Sequence, residues 1–137
     1  ISTNPGQPMK PLGKIASGGE LSRISLSIQV VTAQTSLTPT LVFDEVDVGI
    51  GGATADVVGQ LLRKLGEKAQ IICVTHLAPV AGKGHCHLRV NKQKKGNNVV
   101  TSLEKLSEEQ KIEEIARMIG NDKVTQASLD HAREMIA

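Results

Sequence analysis

Apolar positions along the chain change their period from block to block. From Glu20 to about Gln34, Leu21, Ile24, Ile28 and Val31 recur at three- and four-residue steps, the spacing of an amphipathic helix. Ser17 and Glu20 stand at capping-box spacing where that helix starts. The segment TSLTP breaks the pattern. Thr40 to Asp44 (TLVFD) is then a short apolar run with a β-branched bias, which predicts a buried strand ending on its acidic residue. Beyond Gly49, Gly51 and Gly52, a stripe of Val57, Val58, Leu61, Leu62 and Leu65 predicts a second helix stopped by Gly66. Gln70 to Thr75 (QIICVT) reads as another buried strand. Strand, helix, strand in close succession predicts a βαβ unit with two parallel strands in one sheet.

The second half carries different signals. His85 to Val90 and Val99 to Leu103 flank the turn-rich KQKKGNN, which predicts a β-hairpin. One closing helix starts at Ser107, with Gln110 as its capping partner, and runs through Ile112, Ile115 and Ile119 to Gly120. The other carries Leu129, Ala132 and Ile136. Residues 1 to 14 hold three prolines and read as an extended connector. The expected class is α/β: a parallel βαβ core, a β-hairpin and C-terminal helices.

Composition narrows the functions open to such a fold. With 137 residues there is room for one domain. Lys and Arg number 16 against 14 Asp and Glu, so total charge argues against a strongly basic nucleic-acid module. Phe43 is the sole aromatic residue, so no base-stacking platform can be built. The apolar runs are too short to predict a membrane span. Cys73 and Cys86 are too few for a disulfide framework and suit a reducing, cytoplasmic compartment. A chain that opens on Ile1 is expected to be part of a longer protein.

Three short stretches carry chemistry. In ASGGELSR, Ala16 to Arg23, two glycines before a helix let backbone approach a ligand, and the helix start presents unpaired N–H groups with partial positive charge. That suits a phosphate. The bland alternative is that Ser17 caps its own helix and the glycines make a turn. In LVFDEVD, Leu41 to Asp47, a buried strand delivers Asp44 and Glu45 at a C-terminal sheet edge, where α/β proteins bind ligands. Adjacent side chains diverge, so one carboxylate can hold Mg²⁺ through water while the other orients or deprotonates an attacking water. A solvated acidic loop is the alternative. In CVTHL, His76 follows the second strand and would share that edge if the strands are neighbours, within reach of a terminal phosphate. A lone histidine after a strand is more often structural.

In that order the three stretches resemble the ABC-type signature motif, the Walker B motif with its catalytic glutamate, and the switch-histidine loop. VDVGIGG stands where that superfamily has its D-loop, with Asp47 as the matching acidic residue. Within the superfamily, PLGKIASGGELSRISLSIQVV, DEVDVGIGG, VTHLAPVAGKGHCHLRV and the closing IARMIG resemble the RecN family of bacterial DNA-repair ATPases, relatives of the structural-maintenance-of-chromosomes (SMC) ATPases. No G-x-x-x-x-G-K-[ST] Walker A loop occurs, and no Q-loop candidate is evident. The resemblance therefore implies the C-terminal lobe of a P-loop NTPase head, spanning residues 1–137, with Walker A on a separate N-terminal lobe beyond a coiled coil. It implies ATP and Mg²⁺ as ligands, with Asp44 supporting the metal, Glu45 activating water and His76 touching the γ-phosphate. Ser17, Gly18, Gly19 and Glu20 would reach the nucleotide of a second head across an ATP-dependent homodimer, with Asp47 also at the nucleotide. DNA is implied as a partner of the longer protein, in double-strand-break repair and recombination in the bacterial cytoplasm at the nucleoid.

Two other functions fit parts of the pattern. The nucleotide-binding half of an ABC transporter would be expected to carry glutamine where this chain has Glu20. A non-catalytic module clamped by ATP would have no use for a second carboxylate after Asp44. Among weaker signals, His85 and His87 would share one face of a strand with Cys86 on the other, two convergent ligands where tetrahedral zinc needs four. Lys83, Arg89, Lys92, Lys94 and Lys95 could meet DNA phosphates, or simply solvate an edge hairpin.

Overall fold

The computed structural model describes residues 2, 6, 8, 9, 11, 18–35, 38–44, 47, 49–96, 98–120 and 123–136. The connector expected over residues 1–14 lies largely outside them. The elements run α1 (Gly18–Thr35), β1 (Thr40–Phe43), α2 (Ala53–Leu65), β2 (Gln70–Cys73), α3 (Ala78–Gly82), β3 (Leu88–Lys95), β4 (Asn98–Lys105), α4 (Glu108–Ile119) and α5 (Gln126–Ile136). This is the expected α/β class.

β1 and β2 pair in parallel, from Thr40 opposite Gln70 to Phe43 opposite Cys73. Each strand stops earlier than its apolar run suggests: β1 ends at Phe43 and β2 at Cys73. One ladder bond continues past them, Val74 N–H donating to the Phe43 carbonyl at 2.9 Å, so the two chains leave the sheet in step. The covered face of the sheet presents Phe43, Leu41, Ile71 and Cys73 to Leu26 and Val30 of α1 and to Ala55, Val58, Leu62 and Leu65 of α2.

α1 presents a face other than the one expected, and α2 keeps Val58, Leu62 and Leu65 of its expected stripe on a shifted face. In α1 the buried positions are Leu26 and Val30, while Ile28 and Val31 of the predicted stripe are 60% and 65% exposed. The helix carries apolar residues on two sides, and spacing alone does not say which side meets the core. In α2 the buried line is Ala55, Val58, Gly59, Leu62 and Leu65, leaving Val57 and Leu61 outside. Small residues set that face. A Cβ built on Gly59 would lie 2.8 Å from the Pro79 carbonyl oxygen, so the absence of a side chain there lets α2 lie close against α3.

α3 is a short helix that the periodicity does not reveal, since five residues are too few to show a repeat. It joins the two cores. Val80 belongs to the sheet core, and Ala78 to a second cluster with Ile115, Ala116 and Ala132 of α4 and α5. The turn after α3 is fixed by cations: Arg63 donates to the Lys83 carbonyl at 2.8 Å and buried Lys111 to the Gly84 carbonyl at 2.7 Å.

The hairpin forms with longer strands than expected, in register from Leu88 opposite Lys105 to Lys95 opposite Asn98. Lys92 and Lys94 therefore lie on a strand, and residues 85–87 precede it rather than belonging to it. The shared-face arrangement of His85 and His87 does not exist. α4 matches its sequence signals closely, with a Ser107–Gln110 capping box and Gly120 as its C-cap.

Candidate functional site

Asp44, Asp47 and His76 lie on the segments that follow β1 and β2. Asp44 is the first residue past β1 and is exposed. Glu45 lies outside the described residues, as does Ser17. Gly18, Gly19 and Glu20 form the first turn of α1, two residues earlier than the expected helix start, where helical N–H groups lack intrahelical partners. The chain between Asp47 and α2 turns through Gly49 and Gly52, at φ 73° and 52°, a left-handed backbone that favours glycine. That turn explains two of the glycines after the acidic run.

Asp47 points inward and is 4% exposed. Its Oδ2 accepts from the Thr75 hydroxyl at 2.6 Å and from the His76 backbone N–H at 2.7 Å. The His76 imidazole Nδ1 lies 3.0 Å from the same oxygen. Burial raises the Asp47 carboxyl, but the hydrogen bonds from Thr75 and the His76 N–H, with the attraction of His76, outweigh it and hold it below its ordinary value. The clamp ties the loop after β1 to the loop after β2. The role of Thr75 escapes a sequence reading, where a strand-end threonine next to a histidine looks like β-propensity alone.

His76 itself is 76% exposed, so its ring is held from behind and presented to solvent. Asp44 and His76 thus follow two neighbouring parallel strands at one sheet edge. Nearby Cys73 is a free thiol pushed up to about 11 by burial, and then by the Asp47 charge, which makes it a packing residue rather than a nucleophile.

The basic run resolves differently. Arg89 donates to Glu104 at 2.8 Å and pairs with buried Glu114 at 3.4 Å, so it docks the hairpin on α4. Lys92 and Lys94 are exposed. Among the described residues, no group of three or more His, Cys, Asp or Glu is placed to hold a metal, and no helix is long and apolar enough to cross a membrane.

Comparison with known proteins adds what this geometry cannot. No family model matches the chain. Among solved structures it resembles the Smc head domain with a coiled coil and joint from Pyrococcus yayanosii, with a TM-score of 0.65 at 22% identity, covering 83% of this chain and 22% of that one. It also resembles an SMC ATPase structure from work on ATP-driven dimerization and DNA-stimulated activation, with a TM-score of 0.62 at 22% identity over 77% of this chain and 62% of that one. These likenesses establish the fold. In sequence it is 58% identical over 136 residues to the DNA repair protein RecN of Vibrio cholerae and 51% identical over 136 residues to that of Haemophilus influenzae, covering 99% of this chain in each case. It is 44% identical over 137 residues to RecN of Deinococcus radiodurans. In each of the three it spans 24% of the relative's length. The chain therefore belongs to the RecN family, as a segment about a quarter as long as these members.

Proposed function

We propose that this chain is the Walker B and signature lobe of an ABC-type ATPase head, working within a RecN protein in DNA double-strand-break repair and recombination. The observation that carries this reading is the sheet edge. Two adjacent parallel strands lead into the segments that carry Asp44 and His76, while family membership supports the nucleotide and DNA-repair context. A transporter half is disfavoured by Glu20 and by the relatives found.

The donor set fits the ligands of such a head. Asp44 is a hard oxygen donor at an open strand end, which suits Mg²⁺ held through water when substrate phosphates complete the coordination. When bound, Mg²⁺ neutralises charge building on the phosphates. Glu45 takes the proton of the attacking water, and His76 hydrogen-bonds a γ-phosphate oxygen. Ser17, Gly18, Gly19 and Glu20 meet ATP held by the other head of a homodimer, so each site uses two chains. A missing N-terminal lobe supplies Walker A, and the longer protein meets DNA in the bacterial cytoplasm.

The outer face of the β1–β2 sheet supports a missing lobe. Val42, Ile72 and Val74 are exposed there, although parallel strands are ordinarily covered on both faces. In a protein four times longer, further chain is available to cover them.

Turnover in the full-length protein tests the reading. Glu45→Gln should keep ATP binding and lower hydrolysis on the order of 10²–10⁴-fold, the usual worth of a positioned general base. Asp44→Asn should instead weaken Mg²⁺-dependent binding. Identical binding defects in both variants would overturn the division of labour. Ser17→Arg heads mixed with Glu45→Gln heads should regain partial activity, because one composite site then has both residues native. No recovery in confirmed mixed dimers would remove the two-chain site.

A further inference from the structure

A buried carboxylate that gathers two hydrogen bonds and an imidazole on one oxygen is a costly feature, retained where it fixes something. Thr75 Oγ1, the His76 backbone N–H and His76 Nδ1 all meet Asp47 Oδ2, at 2.6, 2.7 and 3.0 Å. Thr75 Oγ1 also accepts from the Leu77 N–H at 3.0 Å, so both neighbours of His76 are caught in the same network.

The imidazole contact has a chemical consequence. A carboxylate oxygen only accepts, so at 3.0 Å it draws the Nδ1 edge of the ring toward itself, and Nε2 is the nitrogen left for another partner. An untethered ring as exposed as this one would sample several rotamers. Here its backbone and its Nδ1 are gripped by one buried atom, which leaves Nε2 as the outward-facing nitrogen. The same geometry argues against Asp47 as a nucleotide contact. Its gripping oxygen is turned into the protein, and a carboxylate aimed at a γ-phosphate would repel it.

We propose that Asp47 is a positioning residue: with Thr75 it fixes the direction of His76, so that Nε2 is the atom that meets the reacting phosphate. This rests on the ATPase reading above and replaces direct nucleotide contact by Asp47 with action through the histidine.

A double-mutant cycle in the full-length protein separates this from a merely structural role. Asp47→Ala should lower kcat about ten- to hundred-fold, as loss of an orienting partner does elsewhere, with KM for ATP nearly unchanged. His76→Ala should lower kcat at least as much. In the His76→Ala background, Asp47→Ala should cost nothing further, since no ring remains to be aimed. A further loss in the double variant would mean that Asp47 supports the loop generally, and would overturn the proposal. Normal turnover in Asp47→Ala with slow His76→Ala would overturn it while leaving the ATPase reading intact. Normal turnover in His76→Ala would instead remove His76 from that reading. If Asp47→Ala does not fold, Asp47→Asn carries the cycle, because a neutral amide oxygen can still accept the loop's two hydrogen bonds but holds the ring more weakly than a carboxylate. Its several-fold loss in kcat should vanish in the His76→Ala background, and full turnover of Asp47→Asn alone would overturn the proposal.

Discussion

The α4–α5 end and the β1–α2–β2 end of this chain satisfy their own groups to different degrees. Around α4, Ile115 is fully buried, and Ser107 with Gln110 closes the helix start. Thr125 and Ser128 exchange hydrogen bonds of 2.9 and 3.2 Å where α5 begins. Buried Glu114 is held below the ordinary carboxylate range, first by the hydrogen bond from Arg117, against the penalty of burial, and then by Arg89. The βαβ end has one packed sheet face and one bare face, and its conspicuous polar network is the clamp that presents His76. The end without proposed chemistry caps its helices and closes its core, yet leaves His87 Nδ1 and Arg89 Nε buried beside α4 without a hydrogen-bond partner among the described residues. The end with it leaves apolar surface and an imidazole facing outward, as expected of a half-site that needs other chain to work.

The largest break in this comparison should come from the closed end. Ile115→Ala removes a fully buried side chain from a core shared by α3, α4 and α5, and should cost about 2–5 kcal/mol. Urea unfolding of the chain would read it. A loss below about 1 kcal/mol would show that this end is looser than its burial suggests. Gly59→Ala should come next, at about 1–3 kcal/mol, because the added methyl meets the Pro79 carbonyl and must push α3 away. On helix propensity alone the same change would stabilise by about 0.8–1.0 kcal/mol, so the sign of the measured shift decides whether α2–α3 contact governs this position.

The contrast between the two ends also governs what the sequence makes legible. α4 is readable because its caps and apolar stripe are local signals and its stripe meets a single neighbouring core. The βαβ order is equally clear from two short apolar runs around a helix. The faces of α1 and α2 are not. Ile24, Ile28 and Val31 form one regular stripe and Leu26, Val30 and Ala33 another, and the core takes the second. In α2 the buried line runs through Ala55 and Gly59, small residues that a search for large apolar ones passes over. Asp44 and His76 were legible as site candidates from their place after strands. The inward turn of Asp47 was not, because residue type does not tell whether a carboxylate faces a ligand or a neighbouring loop.

The smallest effect in this chain is the most informative about the bare face. Val42 is 64% exposed on the outer side of β1, and Ile72 lies beside it on β2 in register. Val42→Thr keeps the β-branched shape and adds a hydroxyl, so in this chain it should shift stability by no more than about 0.5 kcal/mol, as exposed substitutions do. In the full-length protein, if further chain covers the sheet as proposed, that hydroxyl becomes a buried polar group without a prepared partner and should cost about 1–3 kcal/mol. Thermal unfolding of the head would report it, with Lys92→Ala on the exposed hairpin strand as a surface control. Equal, small shifts for Val42→Thr in both settings would mean that the outer face stays open. The contrast between the two ends would then belong to the whole protein, and the missing lobe would have to dock elsewhere.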